Sequence, residues 1–453
     1  MKRAIVLALL LAATALAAEP PAFERLRFHT APRPLAKAAA VADWPRLLGP
    51  ADDATSPETH LLHELPKTGL RVVWEVEKGN GFGGPAIVGE RLVIFHRMEE
   101  REVVECLHAE TGRRMWTFDY AAPYRPRYGG STGPRTSPVI AGDRVFTFGI
   151  AGQLHCLDLA SGAVRWEHDL AREFEMGPAF FGYGSTPLVL GSRLIVQLGG
   201  RHGGKAVNTA AFDTATGRLL WTSAHAWGAS FASPVPAKLH GRECVLVFAG
   251  GESRPPTGGL LVIDAATGAI LAAAEHRADI AESVNASSPV ISGNRVFVSE
   301  AYSAGGVCFD VAPDFSIKPA WRAEKFGLYW MTPLVRDGCI FGCAGMSERL
   351  AEFTAHDIAS GKELWRSDLG GGFGRASLLA ADGGVLCLGE FGDLAWIELT
   401  PRGATVKSRA KLFNAPETWT LPALSRGLLY VSQNERGAGG TKPRIVCYDL
   451  RGE

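Results

Sequence analysis

No charge of either sign is in excess: 47 Lys and Arg stand against 47 Asp and Glu. Without a net positive field the chain is not built to hold a polyanion, and nucleic acid is excluded as a partner class. Long apolar runs are missing beyond the first residues, and with them any spanning helix, which takes roughly 20 apolar residues. There is no C-x-x-C-H haem-attachment site, no zinc-ligand spacing, no phosphate-cradling loop and no G-x-S-x-G nucleophile turn. Local motifs therefore name no catalytic residue and no metal ligand.

What is present is glycine and proline, 53 and 27 residues, in a chain that is 46% hydrophobic and 21% charged. That balance suits many short strands joined by turns rather than a disordered or membrane-embedded chain. The opening MKRAIVLALLLAATALA has Lys2 and Arg3, an apolar run from Ala4, and small residues Ala15 and Ala17 spaced for signal peptidase. Residues 1–17 are read as a cleaved signal peptide, which places the mature protein in the periplasm or outside the cell. No cysteine stands near the cleavage site for lipid attachment, and no transmembrane segment is expected after cleavage. Residues 18–43, rich in Pro and Ala without strand alternation, read as an extended lead-in.

From residue 44 onward one pattern returns. CLHAETGRRMW, CLDLASGAVRW, AFDTATGRLLW and AHDIASGKELW end at Trp116, Trp166, Trp221 and Trp365. Each leads through Asp or His, then Ser or Thr before Gly, to a Trp four positions later. A second landmark precedes each copy: Ser or Thr, then Pro, then an apolar pair and a polar turn, as in TSPVIAGDRVFTFG and SSPVISGNRVFVSE. Eight such starts occur, three of them weak, at Gly83, Arg375 and Leu421. Each unit reads as a hairpin followed by a third strand, a tight turn and a fourth strand carrying the Trp. Spacings of 50, 55 and 44 residues between successive Trp fit four-stranded propeller blades.

The eighth unit stops at Asp449 without a fourth strand, while RVVWEVE (71–77) is an orphan strand before the first unit, with Trp74 in place. The fold expected over 44–453 is therefore an all-β, eight-bladed propeller of four-stranded antiparallel blades, closed by strand 71–77. Trp74, Trp116, Trp166, Trp221, Trp321 and Trp365 should cover the seams between blades, with Asp158, Asp213, Asp264 and Asp357 holding the turns. Unit four has Ala272 where the Trp would fall, unit five reaches Trp321 by a longer route, and unit seven has none, so those seams should be less well stapled. Cys106, Cys156, Cys308 and Cys447 share one repeat position with Ala211 and Ala355 and behave as small core residues. A Cys343–Cys387 bridge is left open.

These repeats resemble the tryptophan-docking motif of the pyrroloquinoline quinone (PQQ) dehydrogenase-like propellers, in which Ala-x-Asp-x-x-Thr-Gly-Lys-x-x-Trp recurs in eight blades. DWPRLLGP resembles the lead-in of exported bacterial members, and the superfamily also includes non-enzymatic BamB-like scaffolds. For a quinoprotein dehydrogenase oxidising alcohols or sugars, the resemblance implies PQQ and calcium above the central channel, stacked on a Trp and often under a disulfide of adjacent cysteines. No adjacent cysteine pair exists here. On that alternative Trp330 would be the stacking platform, Arg135 or Arg375 a quinone contact, and Glu300 and Asn285 calcium ligands.

Blade geometry places the residues just ahead of each Ser/Thr-Pro landmark around the channel mouth. The candidates are Arg135, Tyr183, Asn285, Tyr329, Trp330, Arg375 and Trp419, with Phe231 and Glu417 beside them and Glu300 from a neighbouring loop on the same face. The competing reading is that such polar groups satisfy backbone at the crowded axis. The expectation is a monomeric, non-enzymatic, BamB-like binding or scaffolding module of the bacterial envelope, with no cofactor assigned and with an envelope protein or small molecule as partner.

Overall fold

The computed structural model describes residues 23–452 except 128, 178, 348 and 350. The expected signal peptide lies outside the described residues. After β1 (Leu26–Phe28) and β2 (Val72–Glu77), the first complete blade comprises β3 (Ala86–Val88), β4 (Arg91–Met98), β5 (Arg101–His108) and β6 (Arg114–Ala121). They pair antiparallel in chain order. β4 and β5 are buried almost throughout, as strands sandwiched between neighbouring blades must be, while β6 alternates toward solvent. Six further four-stranded sheets follow, spanning 139–169, 188–223, 235–275, 290–323, 334–367 and 376–411. The short first strands of successive blades contact one another around a central axis.

The eighth sheet holds Ala423–Ser425, Leu428–Gln433 and Arg444–Asp449 from the C-terminal end of the chain and is completed by β2, with Trp74 opposite Cys447. The ring therefore closes through the segment around Trp74. The lead-in does more than extend. β1 pairs with β2 as a fifth strand of this sheet, Phe28 opposite Trp74, and Arg33 pairs with the buried carboxylate of Asp449 at 3.0 Å.

Each docking Trp sends its indole N–H into the next blade. Trp74 donates to Ala109 O at 2.8 Å, Trp116 to Leu159 O at 2.9 Å, Trp166 to Thr214 O at 3.2 Å, Trp221 to Ala265 O at 3.2 Å, Trp321 to Ile358 O at 3.0 Å and Trp365 to Thr400 O at 2.8 Å. In most of these pairs the accepting carbonyl follows the turn Asp, whose carboxylate is tied to the turn: Asp158 Oδ1 accepts from Ala160 N, Ser161 N and Ser161 Oγ. Gly162 sits at φ +74, and a Cβ there would come within 2.5 Å of the Trp116 ring. The glycine is thus demanded twice, by backbone conformation and by the indole lying on it.

The cysteine position is the small partner of this large residue. Cys106, Cys156, Cys308 and Cys447 stand directly opposite Trp116, Trp166, Trp321 and Trp74 on the adjoining strand. All eight cysteines are free and buried, so Cys343 and Cys387 are not bridged.

The units without a standard Trp are not loose, which corrects the expectation of weaker staples. In blade seven the indole has moved one strand inward. Trp396 occupies the small position and faces Ser408, which occupies the Trp position. Trp396 is 1% exposed, donates to Leu62 O at 2.8 Å and is stacked by His63 at 4.4 Å between ring centres. In blade four Ala272 faces Val262, and the outer strands of blades four and five draw together into direct contact. His240 Nε2 donates to Val311 O at 2.7 Å. Val311 follows Asp310 as Leu159 follows Asp158, so an imidazole replaces the missing indole at the same acceptor.

Candidate functional site

The Ser/Thr-Pro landmark forms a collar. Gly84 N donates to Ser137 Oγ at 2.8 Å, Ser137 N to Thr186 Oγ1 at 3.0 Å, Thr186 N to Ser233 Oγ at 3.0 Å, Ser233 N to Ser288 Oγ at 3.1 Å and Ser288 N to Thr332 Oγ1 at 3.3 Å. Each bond runs from one blade's entry to the hydroxyl of the next. The backbone N–H at the axis has no strand partner, and a side-chain oxygen from the neighbouring blade supplies one. For the hydroxyls, the reading as backbone satisfaction is the one the geometry bears out.

One end of the axis is closed by the segment that follows the lead-in. Trp44 and Ile87 exchange both backbone hydrogen bonds, at 2.9 and 2.7 Å, and Pro45 O accepts from Ile140 N at 2.8 Å. Arg46 reaches Val189 O at 3.3 Å, and Ser56 N donates to Ala380 O at 2.8 Å. The segment 44–56 thus ties blades one, two, three and seven together at the ends of their first strands. Glu58, 1% exposed, completes the tie to blade eight by accepting from Ala42 N, Arg426 N and Gly427 N.

Above this plug lies a cavity of about 410 Å³ lined from all eight blade entries, which places it on the axis. Leu47, Leu48 and Ala54 of the plug make its floor. Phe82, Phe181, Phe231, Tyr329, Trp330 and Trp419 supply aromatic wall, and Gly129, Gly130 and Ser131 come from the long loop after β6. Phe82 stacks on Trp419 with centres 5.3 Å apart, and Trp330 lies 6.3 Å from the same ring. Arg135 lines the cavity between aromatic faces, 5.4 Å from Phe181 and 5.9 Å from Phe82. It makes no ion pair among the described residues. Among the described residues its guanidinium makes only long hydrogen bonds, to Gly133 O and Ser131 O at 3.5 and 3.3 Å, and burial pushes its pKa down to about 10.

Of the sequence candidates, Arg135, Tyr329, Trp330 and Trp419 line this cavity, as do Phe231 and Glu417. Arg375 stands behind it: its guanidinium covers the Tyr329 and Trp419 rings at 4.9 and 5.0 Å and is paired with Glu390 at 2.6 Å. Tyr183, Asn285 and Glu300 are not in the lining. The Tyr183 hydroxyl donates to Gly177 O at 2.6 Å, and Asn285 Nδ2 donates to Ala249 O at 3.1 Å. Glu300 is wholly buried, accepts from Ala278 N at 3.0 Å and pairs with Arg277; burial raises its pKa. Tyr183 thus serves its own loop, Asn285 the end of the blade-four strand at Ala249, and Glu300 the loop that carries Arg277 and Ala278.

The missed residues were reachable. Phe82 stands just ahead of the weak first start at Gly83, where the same positional rule applies. The plug carries no repeat signal, and only its WPRLLGP composition, apolar residues between a Trp and a tight turn, marks it.

A calcium-bound quinone does not fit this donor set. Neither proposed calcium ligand is in the cavity lining: Glu300 is committed to an ion pair, and Asn285 is anchored through Nδ2 on backbone with its Oδ1 buried and unpartnered. No group of three His, Cys, Asp or Glu is placed to hold a metal ion among the described residues. Trp330 remains a free aromatic platform, and its Nε1, like that of Trp419, has no hydrogen-bond partner. No helix among the described residues is long and apolar enough to cross a membrane.

Comparison with curated proteins finds no match. Solved structures share the fold at low identity. BamB from Moraxella catarrhalis is 16% identical, with TM-score 0.55 over 85% of this chain and 98% of that one. Quinohemoprotein alcohol dehydrogenase from Comamonas testosteroni is 13% identical, with TM-score 0.60 over 91% and 81%. The computationally designed Ika8 protein is 12% identical, with TM-score 0.52 over 87% and 99%. The family model described as outer membrane protein assembly factor BamB matches residues 100–365, more than half of the chain. With its repeats, its closed ring and this match, the chain belongs to the BamB-like family of PQQ-type β-propellers.

Proposed function

We propose that this chain is a non-enzymatic binding module of the bacterial envelope, exported by the sequence at residues 1–17, whose axial cavity takes a small ligand. The observation that carries the reading is the blind aromatic cavity, closed below by the 44–56 plug and holding a guanidinium with no ion-pair partner among the described residues. Pockets of about 300–1,000 Å³ with apolar walls and a few polar groups are the usual form of a small-molecule site. The collar hydroxyls and the buried Glu300 serve the scaffold. A rigid closed ring is also a suitable platform for a protein partner in the envelope.

The test is to export the full chain, confirm its N-terminus after processing, and titrate it with PQQ and calcium. Intrinsic fluorescence and dye-linked oxidation of alcohols and sugars are the readouts. The expected result is a processed chain in the periplasmic fraction and no turnover. Saturable PQQ binding with substrate oxidation would establish the dehydrogenase reading instead.

A further inference from the structure

Two opposite charges line the same aromatic cavity, and neither makes an ion pair among the described residues. Arg135 makes no ion pair among the described residues. Glu417 also lines the cavity, and its carboxylate takes part in no hydrogen bond or ion pair among them; only its backbone carbonyl is used, by Asn434 Nδ2 at 3.1 Å. The two are not within ion-pair distance of each other. Glu417 is further held at φ +55, a left-handed conformation that a glutamate adopts at a cost, in the run Pro416–Glu417–Thr418–Trp419. The neighbouring cation Arg375 is occupied by Glu390, so it does not serve Glu417 as a direct partner.

Arg135 and Glu417 are both half-buried, and a charge partly withdrawn from water without an ion-pair partner carries a cost that a ligand recovers by supplying one. The rest of the lining fits a compact organic body. Phe82, Phe181, Trp330 and Trp419 supply aromatic wall. A purely anionic ligand would satisfy Arg135 and repel Glu417; a purely cationic one would do the reverse.

We propose that the axial cavity binds a small zwitterion of peptide type, its carboxylate on Arg135, its ammonium on Glu417 and an apolar or aromatic side chain against the rings. The inference rests on the reading of the cavity as a small-ligand site and names the ligand class. Arg135 and Glu417 are then the specificity residues.

The probe set is one aromatic dipeptide, Leu-Phe, in four forms: free, N-acetylated, C-amidated, and blocked at both ends. Each is titrated calorimetrically into the full chain and into R135Q, E417Q and W330A. The free form should bind best, and each blocking group should weaken binding by about 10- to 100-fold, the worth of a charge-assisted contact. Acetylation should cost little in E417Q and amidation little in R135Q, because the group that each block removes has already lost its partner. If all four forms bind alike and W330A weakens them together, the cavity is a ligand site and the zwitterion inference is wrong. If the acetylated acid equals the free form, the site is for anions and the inference is again overturned. If no form binds the folded chain, both this inference and the small-ligand reading fall.

Discussion

Blade seven offers the sharpest test of how the ring is held. Trp396 fills the position that is Cys or Ala in most other blades, and Ser408 fills the Trp position opposite it. If the seam needs one indole and is indifferent to which strand carries it, the two positions are coupled. Trp396→Ala removes a side chain that is 1% exposed, with its hydrogen bond to Leu62 O and its stack on His63. Large-to-small changes of this kind cost about 3–5 kcal/mol. Ser408→Trp alone places a second indole into a filled seam, an overpacking worth roughly 1–3 kcal/mol, and removes the Ser408 hydroxyl bond to His63 O. In the double variant the new indole enters the space that the old one left. The combined loss should fall below the sum of the single losses by about 1–3 kcal/mol, the range of coupling between contacting residues. Urea unfolding followed by far-ultraviolet circular dichroism gives the three differences. Additive losses, or a double variant worse than the sum, would refute the idea that the seam counts indoles rather than positions.

Acid should weaken the tie between β4, β5 and the lead-in. Burial opposes ionisation of Glu105, but the hydrogen bond from His96 and the charge of Arg25 outweigh it and hold its pKa at about 2, against an ordinary 4.5. Its stabilisation is present above pH 4.5 and lost as pH falls toward 2, so the stability gap between the native chain and Glu105→Gln should shrink across that window; a gap constant with pH would count against it. Thr186→Ala should cost about 1–3 kcal/mol by leaving Ser137 N unpaired at the axis, while Thr186→Ser should be near neutral in the same melts; equal losses would deny the collar its role. Eight thiols should titrate in the unfolded chain without reductant, and reductant should leave the thermal midpoint unchanged; fewer than eight would mean a bridge.

The ring was legible from sequence because its constraints are local and repeated. A turn needs Gly at positive φ under an indole, an Asp to bind the turn amides, and a small residue opposite the Trp. Each demand leaves one residue type at one spacing, and repetition removes chance. The compensations were illegible for the opposite reason. His240 serves blade five from a hairpin of blade four, and Trp396 satisfies its seam through Leu62, 334 residues away in the chain. Such substitutions keep the energy and change the address, and a pattern search reads only addresses.

The same distinction separates the candidates at the mouth. Position relative to the landmark put Arg135, Tyr329, Trp330 and Trp419 at the axis, because every blade entry must cross there. Position could not say which way a side chain turns, and that depends on whether its own loop is satisfied. Glu300 turns inward to accept from the Arg277 guanidinium and Ala278 N, and Asn285 Nδ2 donates to the strand-end carbonyl of Ala249. Arg135 follows Gly133 and Pro134 in an entry, 122–138, that contains no carboxylate, and Glu417 follows Pro416 in another, 412–422, that contains no cation. A charge that remains at an axis after the scaffold has met its own needs is a charge kept for something else, and in this ring two of opposite sign remain.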